Sequence, residues 1–274
     1  MEDLKIDSRK TADKKNTEIS KKKSLLDLLE SKASLVSFSL FIIIWYVLTK
    51  YFIPQIKFPS PQSVIQAFYN LRFSLLQHIG STMFRVILGF MFGSFIGIAL
   101  GLIMGYSKRA NKFLDPLIET GRPVPPIATI PFFILWFGIG DPGKILLITA
   151  GTALVMVVNT AEAIKNISPI YTRAAQTLGA SKPTIYRTIV MPAIVPQIIA
   201  GLRVAAALSF SLTIAAEYMG AQSGIGYVVM LARRTLNTEN IFLGILLLGW
   251  LSLILDKVIR SIGNHLLRWS ERLP

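Results

Sequence analysis

The chain contains 274 residues, of which 52% are hydrophobic and only 16% are charged. That composition is too apolar for an ordinary soluble domain, and the length suits one large domain, so we predict an integral membrane protein. Cysteine is absent and the two histidines are far apart in sequence, which excludes disulfides, thiolate metal sites and a local zinc motif.

The net charge of +14 is the one compositional feature that would favour nucleic acid as a partner. However, nine of the 29 Lys and Arg residues precede Ser34, and most of the others flank apolar runs. Because basic residues placed in this way report membrane topology, we expect membrane lipid and no nucleic acid as a partner. Residues 1–33 are predicted to be a solvated, mobile basic tail, and residues 34–274 a transmembrane domain.

Apolar runs of about 20 residues predict an all-α membrane protein with six transmembrane helices. In chain order the predicted spans are residues 34–53, 79–106, 116–138, 145–163, 193–219 and 241–259. Three prolines separate the first span from residues 62–71, where apolar residues on one side predict a short helix at the outer surface.

The second predicted span contains five glycines, each four residues from the next: Gly89, Gly93, Gly97, Gly101 and Gly105. In water each glycine costs a helix about 1 kcal/mol relative to alanine, so five on one face need a compensating interaction. Close packing against another helix would supply it, and a pore-lining groove is the alternative.

The third predicted span is interrupted by prolines at positions 123, 125, 126 and 131. It carries two ionisable residues, Glu119 and Arg122, three positions apart. Ionisable groups in a span are costly unless they pair or face water. We therefore expect either an internal pair between Glu119 and Arg122 near the cytoplasmic interface or a place for both on the translocation path.

The fifth predicted span carries Arg203 and ends at Glu217. At about 1.5 Å per residue, Arg203 lies about 16 Å into the span, where its side chain does not easily reach the interface. No acid lies within four residues of it, so its expected partner is an anionic substrate or Glu119. Glu217 adjoins three glycines, which favours either an external gate with a re-entrant turn or an interfacial acid that reaches water.

Basic residues are distributed unevenly when the spans are laid across a membrane with the first tail inside. The segments then predicted to be inside hold 20 Lys and Arg residues, and those predicted to be outside hold six. The positive-inside rule therefore places both termini and residues 169–192 in the cytoplasm.

Residues 169–192, PIYTRAAQTLGASKPTIYRTIVMP, form the longest polar interval between two strongly apolar regions. Gly179 divides the interval into two short amphipathic helices, because glycine suits the left-handed position that ends a helix. Ser181 offers a cap and Pro183 a first-turn proline for the second helix. The pattern predicts two helices that meet at a fixed elbow.

Within this interval, Ala174, Ala175, Gly179, Ile189 and Pro192 have the spacing of the EAA loop of ABC importer permeases. The chain resembles that family over residues 58–269. The segments FPSPQSV, IPFFILWFGIG and AAEYMGAQSGIGYV are similar to the branch that handles nitrate, sulfonates and taurine, which also includes importers of thiamine precursors.

Two residues differ from the family's loop. Arg173 stands where glutamate is usual, which reverses a charge, and Met191 stands where leucine is usual, which changes little in volume. The charge reversal puts any salt bridge that the family makes to its ATPase in question here.

The resemblance implies a permease that imports a small anionic solute across a bacterial-type plasma membrane. It implies a permease homodimer, two cytoplasmic ATPase subunits that use ATP and Mg²⁺, and an external solute-binding protein. No cofactor is expected on this chain. The residues implied to couple it to the ATPase are Arg173, Ala174, Ala175, Gly179, Ala180, Ser181, Ile185, Tyr186, Ile189 and Pro192.

An ion-gradient-driven secondary transporter is the alternative from another class, because broken helices and charges within spans suit it too. The lack of an evident inverted repeat and the spacing of the EAA-type loop favour the ATP-driven importer. A membrane enzyme is disfavoured because the sequence shows no constellation of nucleophile, base or metal ligands.

Overall fold

The computed structural model of the chain describes residues 36–37, 39–52, 54 and 57–267, and all regular structure within them is helical. The basic tail predicted at residues 1–33 lies outside this part of the chain. Contacts divide the chain into two units, residues 1–64 and residues 65–274.

The first unit contains an apolar helix, α1 (Ser39–Phe52), where the first span is predicted. Its last turn, Leu48–Phe52, is π-helical. The Trp45 indole Nε1 donates a hydrogen bond of 3.0 Å to the Pro59 carbonyl oxygen, and its ring lies 6.2 Å from that of Phe58. The chain after α1 is thereby held against the helix.

The remaining helices are α2 (Pro61–Tyr106), α3 (Lys108–Gly121), α4 (Ile130–Phe137), α5 (Asp141–Lys165), α6 (Pro169–Thr177), α7 (Lys182–Ile185), α8 (Met191–Tyr218), α9 (Ile225–Arg234) and α10 (Thr238–Leu266). A 3₁₀ turn, Pro126–Thr129, precedes α4, and a π turn, Tyr186–Val190, joins α7 to α8.

The separate short helix predicted at residues 62–71 is wrong, because α2 is one continuous helix of 46 residues. No proline occurs between Pro61 and Tyr106, so helical hydrogen bonding continues into the apolar run. At about 1.5 Å per residue α2 is about 69 Å long, more than twice the thickness of a hydrocarbon core of about 30 Å.

The predicted interruption of the third span is confirmed, since residues 116–138 do not form one helix. Helix α3 ends at Gly121, the backbone at Pro125 is extended, and helical structure resumes at the 3₁₀ turn before α4. Prolines at positions 123, 125 and 126 explain the break, because proline lacks the donor and excludes the helical conformation from the residue before it.

Among the described residues, four helical segments are long and apolar enough to cross a membrane: Pro61–Tyr106, Asp141–Lys165, Lys182–Tyr218 and Thr238–Leu266. Two shorter apolar helices, Ser39–Phe52 and Pro126–Phe137, fall where the first and third spans are predicted. The described part of the chain is therefore a multi-pass helical membrane protein.

The five glycines of α2 pack against α5. Of the two roles considered for them, helix packing is therefore confirmed and a pore-lining groove is not. A Cβ atom added to Gly97 would lie 2.5 Å from the Met156 Cβ atom and 2.6 Å from the Ala153 carbonyl oxygen. The residues opposite the five glycines share the spacing of four, and they are Ile148, Thr152, Met156, Thr160 and Ile164. Two helices in register can approach this closely only where one of them lacks side chains.

We expect Gly97→Ala to lower the apparent melting temperature of the purified protein in detergent. The added methyl group meets backbone and Cβ atoms that cannot rotate away, and overpacking of this kind costs about 1–3 kcal/mol. Gly80→Ala is the matched control on the same helix, because nothing lies within 4 Å of its added Cβ atom. Equal melting temperatures for the two variants would contradict close packing at Gly97.

Candidate functional site

A buried ion pair between Arg85 of α2 and Glu217 of α8 lies at the centre of a polar cluster. Arg85 is 3% exposed and Glu217 is 1% exposed, and the Arg85 Nη1 atom lies 2.6 Å from the Glu217 Oε1 atom. The Arg85 Nε atom also donates to the Asp141 Oδ1 atom at 2.7 Å, at the start of α5. We call Thr82, Arg85, Asp141, Glu217 and Ser223 the Arg85–Glu217 cluster.

The Glu217 carboxylate is fully satisfied by hydrogen bonds. The Thr82 hydroxyl donates to it at 2.9 Å and the Gly226 backbone N–H donates to it at 2.8 Å. The Thr82 hydroxyl in turn accepts a bond of 2.8 Å from the Ile225 N–H. A buried carboxylate is tolerated only with this many donors, because burial removes its water.

The same cluster fixes the chain between α8 and α9. Arg85 donates to the Ser223 carbonyl oxygen at 2.8 Å and to its hydroxyl at 3.1 Å. Gly224 has a φ of +120°, and a Cβ atom there or at Gly226 would collide with the Glu217 side chain. The glycines after α8 therefore make room for the buried carboxylate.

The alternative that Glu217 is an interfacial acid reaching water is wrong, because its side chain is 0% exposed. A gating role for the segment after α8 stays a prediction. Sequence reasoning did not single out Arg85, although a signal was present. Of the 29 basic residues, the topology count assigns 26 to the inner or outer side of the membrane, and 29 minus 26 leaves Arg85, Arg122 and Arg203 unassigned within spans.

Arg203 does not contact Glu119, so that predicted partner is corrected. The Arg203 Nε atom lies 2.5 Å from the Asp256 Oδ1 atom of α10, and Arg260 contacts the other Asp256 oxygen at 3.1 Å. Asp256 lies 53 positions from Arg203, so the search for an acid near it in sequence did not find the partner. A role for Arg203 in substrate selection stays a prediction.

Glu119 and Arg122 form the internal pair that was one of the two expectations for them. The Arg122 Nη1 atom lies 3.3 Å from the Glu119 Oε1 atom, and its Nη2 atom lies 3.6 Å from the Glu162 Oε1 atom of α5. Arg122 also lines a cavity of about 300 Å³ between α5 and α8. A place on the translocation path is compatible with this geometry and stays a prediction.

The hairpin 169–192 has the predicted elbow. Gly179 has a φ of +79° after α6, and the Ser181 hydroxyl accepts a bond of 3.4 Å from the Thr184 N–H at the start of α7. Ala174 and Ala175 lie on α6, Ala180 lies in the elbow, Ile189 lies in the π turn, and Pro192 lies in the first turn of α8. The predicted left-handed conformation of Gly179 and the predicted cap at Ser181 are therefore confirmed.

Helix α6 exposes its apolar side chains, whereas the second half of the hairpin is packed against α2. Ile170, Tyr171 and Leu178 are between 62% and 88% exposed. Ile185 is 6% exposed, and the Tyr186 hydroxyl donates to the Leu102 carbonyl oxygen of α2 at 2.6 Å. The chain itself thus buries Ile185 and half-buries Tyr186, and a contact of these residues with a partner subunit stays a prediction.

A second contact ties the hairpin to the end of α2. The Lys182 Nζ atom donates to the Tyr106 carbonyl oxygen at 2.7 Å and lies 4.4 Å from the centre of the Tyr106 ring. The rings of Tyr106 and Tyr186 meet edge to face at 5.1 Å. A displacement of the hairpin would therefore be transmitted to α2 as well as to α8.

Comparison with known families gives a decisive match over residues 93–271, which correspond to the binding-protein-dependent transport system inner membrane component. The chain belongs to this family. The matched region of the permease begins within the glycine row and includes α3 to α10, so it contains the hairpin, Glu217 and the Arg122 cavity.

The permease is similar in sequence to two named relatives. It is 32% identical to the taurine transport system permease protein TauC of Escherichia coli (strain K12), over 82% of this chain and 84% of that one. It is also 32% identical to the putative aliphatic sulfonates transport permease protein SsuC of Bacillus subtilis (strain 168), over 77% of each chain.

Among solved structures, a bacterial ABC transporter involved in the import of the acidic polysaccharide alginate has a chain of the same fold. The TM-score is 0.59 at 18% identity, and the match covers 88% of this chain and 98% of that one. At this level of identity the likeness describes the fold of the permease alone.

We expect Arg85→Met to destabilise the permease by about 3–5 kcal/mol, because it leaves the Glu217 carboxylate buried without its cation. The double variant Arg85→Met/Glu217→Gln should recover part of that loss, since no unpaired charge remains buried. Unfolding in detergent, followed by heat or denaturant, measures the difference.

Arg72→Met is the control for the Arg85 variants, because Arg72 is exposed on the same helix and should change stability by less than about 0.5 kcal/mol. If the double variant is less stable than Arg85→Met alone, the two charges do not act as a pair.

Proposed function

We propose that this permease passes a small sulfonate-type anion inward across a bacterial-type plasma membrane, with energy from a separate ATPase. The observation that carries the proposal is the 32% identity to a taurine permease over 82% of the chain. The relative described for aliphatic sulfonates supports the same class of solute.

In this proposal the chain crosses the membrane six times, with both termini in the cytoplasm. The four long helical segments make four crossings. Helix α1 makes another, and α3 together with the 3₁₀ turn and α4 makes the sixth as a broken crossing. The excess of 20 basic residues over six supports this orientation, which puts the hairpin 169–192 inside.

The proposed assembly contains two copies of the permease, two ATPase subunits and an external solute-binding protein. ATP and Mg²⁺ are used by the ATPase, and this chain contributes the membrane path. The exposed apolar side chains of α6 and of Leu178, which directly follows it, support an intracellular protein partner, because a side chain such as Leu178, at 88% exposure, gains free energy when a groove covers it.

Movement of the ATPase would drive transport through the hairpin. Helix α6 would follow the ATPase, and the elbow at Gly179 would carry the displacement to α7. From there Lys182 and Tyr186 would move the end of α2, and the backbone itself would move α8. The transporter would thus switch between inward-open and outward-open states under the bias of its partner.

Arg173 of α6 is the position where the charge differs from the family's loop. It is exposed, and it makes no ion pair with any residue that the structure describes. It is therefore free to contact the ATPase directly, and the acceptor on that subunit would have to be an acid or a carbonyl group.

Uptake by the complete transporter tests the proposed solute. The operon would be expressed in a strain that lacks sulfonate uptake and supplied with radiolabelled taurine, an alkanesulfonate, nitrate and a formylaminopyrimidine. We expect ATP-dependent accumulation of the sulfonates. Accumulation of the pyrimidine alone would support the same machinery for a thiamine precursor, and uptake driven by an ion gradient without ATP would contradict an ABC importer.

We expect Gly179→Val to uncouple ATP hydrolysis from uptake while the permease stays in the membrane. A Cβ atom at Gly179 meets nothing within 4 Å, so the φ of +79° is the constraint, and a left-handed residue with a side chain costs about 1–2 kcal/mol. Gly179→Asn is the matched control, because asparagine adopts this conformation more readily. Normal uptake per ATP in Gly179→Val would argue against a rigid elbow.

A further inference from the structure

The cavity beside Arg122 has mostly apolar walls, and Arg122 is the charged residue that lines it. Its apolar lining comes from Val124, Pro126, Leu154, Val155, Val158 and Leu208, and its volume is about 300 Å³. That volume is at the lower end of the range for small-molecule sites. We call this cavity the Arg122 groove.

Arg122 has donors left for a ligand. A guanidinium carries five N–H donors, and here one nitrogen faces Glu119 and another faces Glu162. The side chain is 46% exposed, so an anion can reach the remaining donors. Arginine binds planar arrays of oxygen atoms such as carboxylate, phosphate or sulfonate through two donors at once.

The two carboxylates make the site unfavourable for a simple anion. Arg122 contributes +1 and the two glutamates contribute −2, so the sum at the end of the groove is −1. Neither carboxylate lines the groove itself, but each lies within 3.6 Å of an Arg122 nitrogen and is more than half exposed, so a ligand held by Arg122 lies beside both. An anion that carries an ammonium group would satisfy the carboxylates while its negative end binds Arg122.

We propose that the Arg122 groove binds a small zwitterion, with Arg122 on its anionic group, Glu119 and Glu162 on its ammonium group, and its short carbon chain against the apolar wall. The proposal rests on the proposed function, and it selects amino-sulfonates over unsubstituted alkanesulfonates. Arg122, Glu119 and Glu162 are the residues that determine this choice within the membrane component.

Two further residues of the chain allow a matched control. Asp115 of α3 pairs with Lys165 of α5 at 3.9 Å. This pair also joins the α3 region to α5, as the contact between Arg122 and Glu162 does. Neither Asp115 nor Lys165 lines the groove, and neither makes an ion pair with Arg122, Glu119 or Glu162. Asp115→Asn therefore removes a comparable surface carboxylate and leaves the charges of the proposed site unchanged.

The test is ligand binding to the full-length permease with its ATPase in lipid nanodiscs, without the external binding protein, which would impose its own selectivity. The two probes are radiolabelled taurine and ethanesulfonate, which differ in the amine. We expect taurine to bind more tightly by about fivefold, the factor that one half-exposed ion pair contributes.

The variants then separate the charges. Glu119→Gln/Glu162→Gln changes the sum of charges at the site from −1 to +1 and should reverse the preference toward ethanesulfonate. Arg122→Gln should weaken the binding of both probes. Arg122→Lys keeps the charge and should keep the preference for taurine, so it tests the site even if Arg122→Gln does not fold. Asp115→Asn should match the wild type.

Equal binding of the two probes to the wild type would overturn the proposal, as would a preference that the glutamate double variant leaves unchanged. A change in Asp115→Asn as large as that in the double variant would also overturn it, since general surface charge would then be responsible. If ATP-dependent sulfonate uptake persists while any of these results is found, the proposed function stands and the zwitterion site is wrong. Absence of all sulfonate uptake would instead overturn the proposed function.

Discussion

The buried ion pair between Arg85 and Glu217 is the constraint on which the arrangement of this permease most depends. Two charges at 3% and 1% exposure would be strongly unfavourable apart, and together they require donors and acceptors from several helices. Helix α2 supplies Thr82 and Arg85, α5 supplies Asp141, and α8 supplies Glu217. The pair therefore joins three membrane-spanning helices at one point and fixes the chain that follows α8.

The packing of α2 on α5 also holds membrane-spanning helices together, but it does so through close contact of backbones and not through charge. Hydrophobic burial gives little reason for helices to associate in lipid, so close contact must come from shape and from hydrogen bonds. The glycine row lets α5 approach, and the Thr152 hydroxyl donates to the Gly89 carbonyl oxygen at 3.2 Å across the interface. The ion-pair cluster and the glycine row thus hold the same two helices at different heights along α2.

Each of the three arginines within predicted spans has a carboxylate partner, but the three environments differ. Arg85 is buried and uses four of its five N–H donors within the cluster, so it has one donor left for a solute. Arg203 is engaged with Asp256, and Arg122 lies half-exposed between two carboxylates at the end of an apolar groove. A solute that needs charged contacts is therefore better served at Arg122. Burial thus distinguishes the structural arginine, Arg85, from Arg122, the arginine proposed to recognise a solute.

The sequence by itself determined the features that depend on local chemistry. Apolar runs predicted helices in a membrane, prolines and glycines predicted breaks, and the spacing around Gly179 predicted an elbow with a left-handed residue and a serine cap. The structure confirms the elbow and the packing role of the glycines. These properties lie in residues a few positions apart, which is why a linear pattern can reveal them.

Only the tertiary structure decided which charges meet and which apolar faces stay exposed. Glu217 finds Arg85 across 132 positions and Arg203 finds Asp256 across 53, and no sequence window contains both partners. Likewise, the residues implied to couple the hairpin to the ATPase lie in both of its halves, and only the structure shows that Tyr186 of the second half bonds to Leu102 of α2. Which charges pair, and which apolar faces are buried, depends on the distances between helices. Both are set by the atoms that lie within a few ångströms in space, and these atoms are not neighbours along the chain.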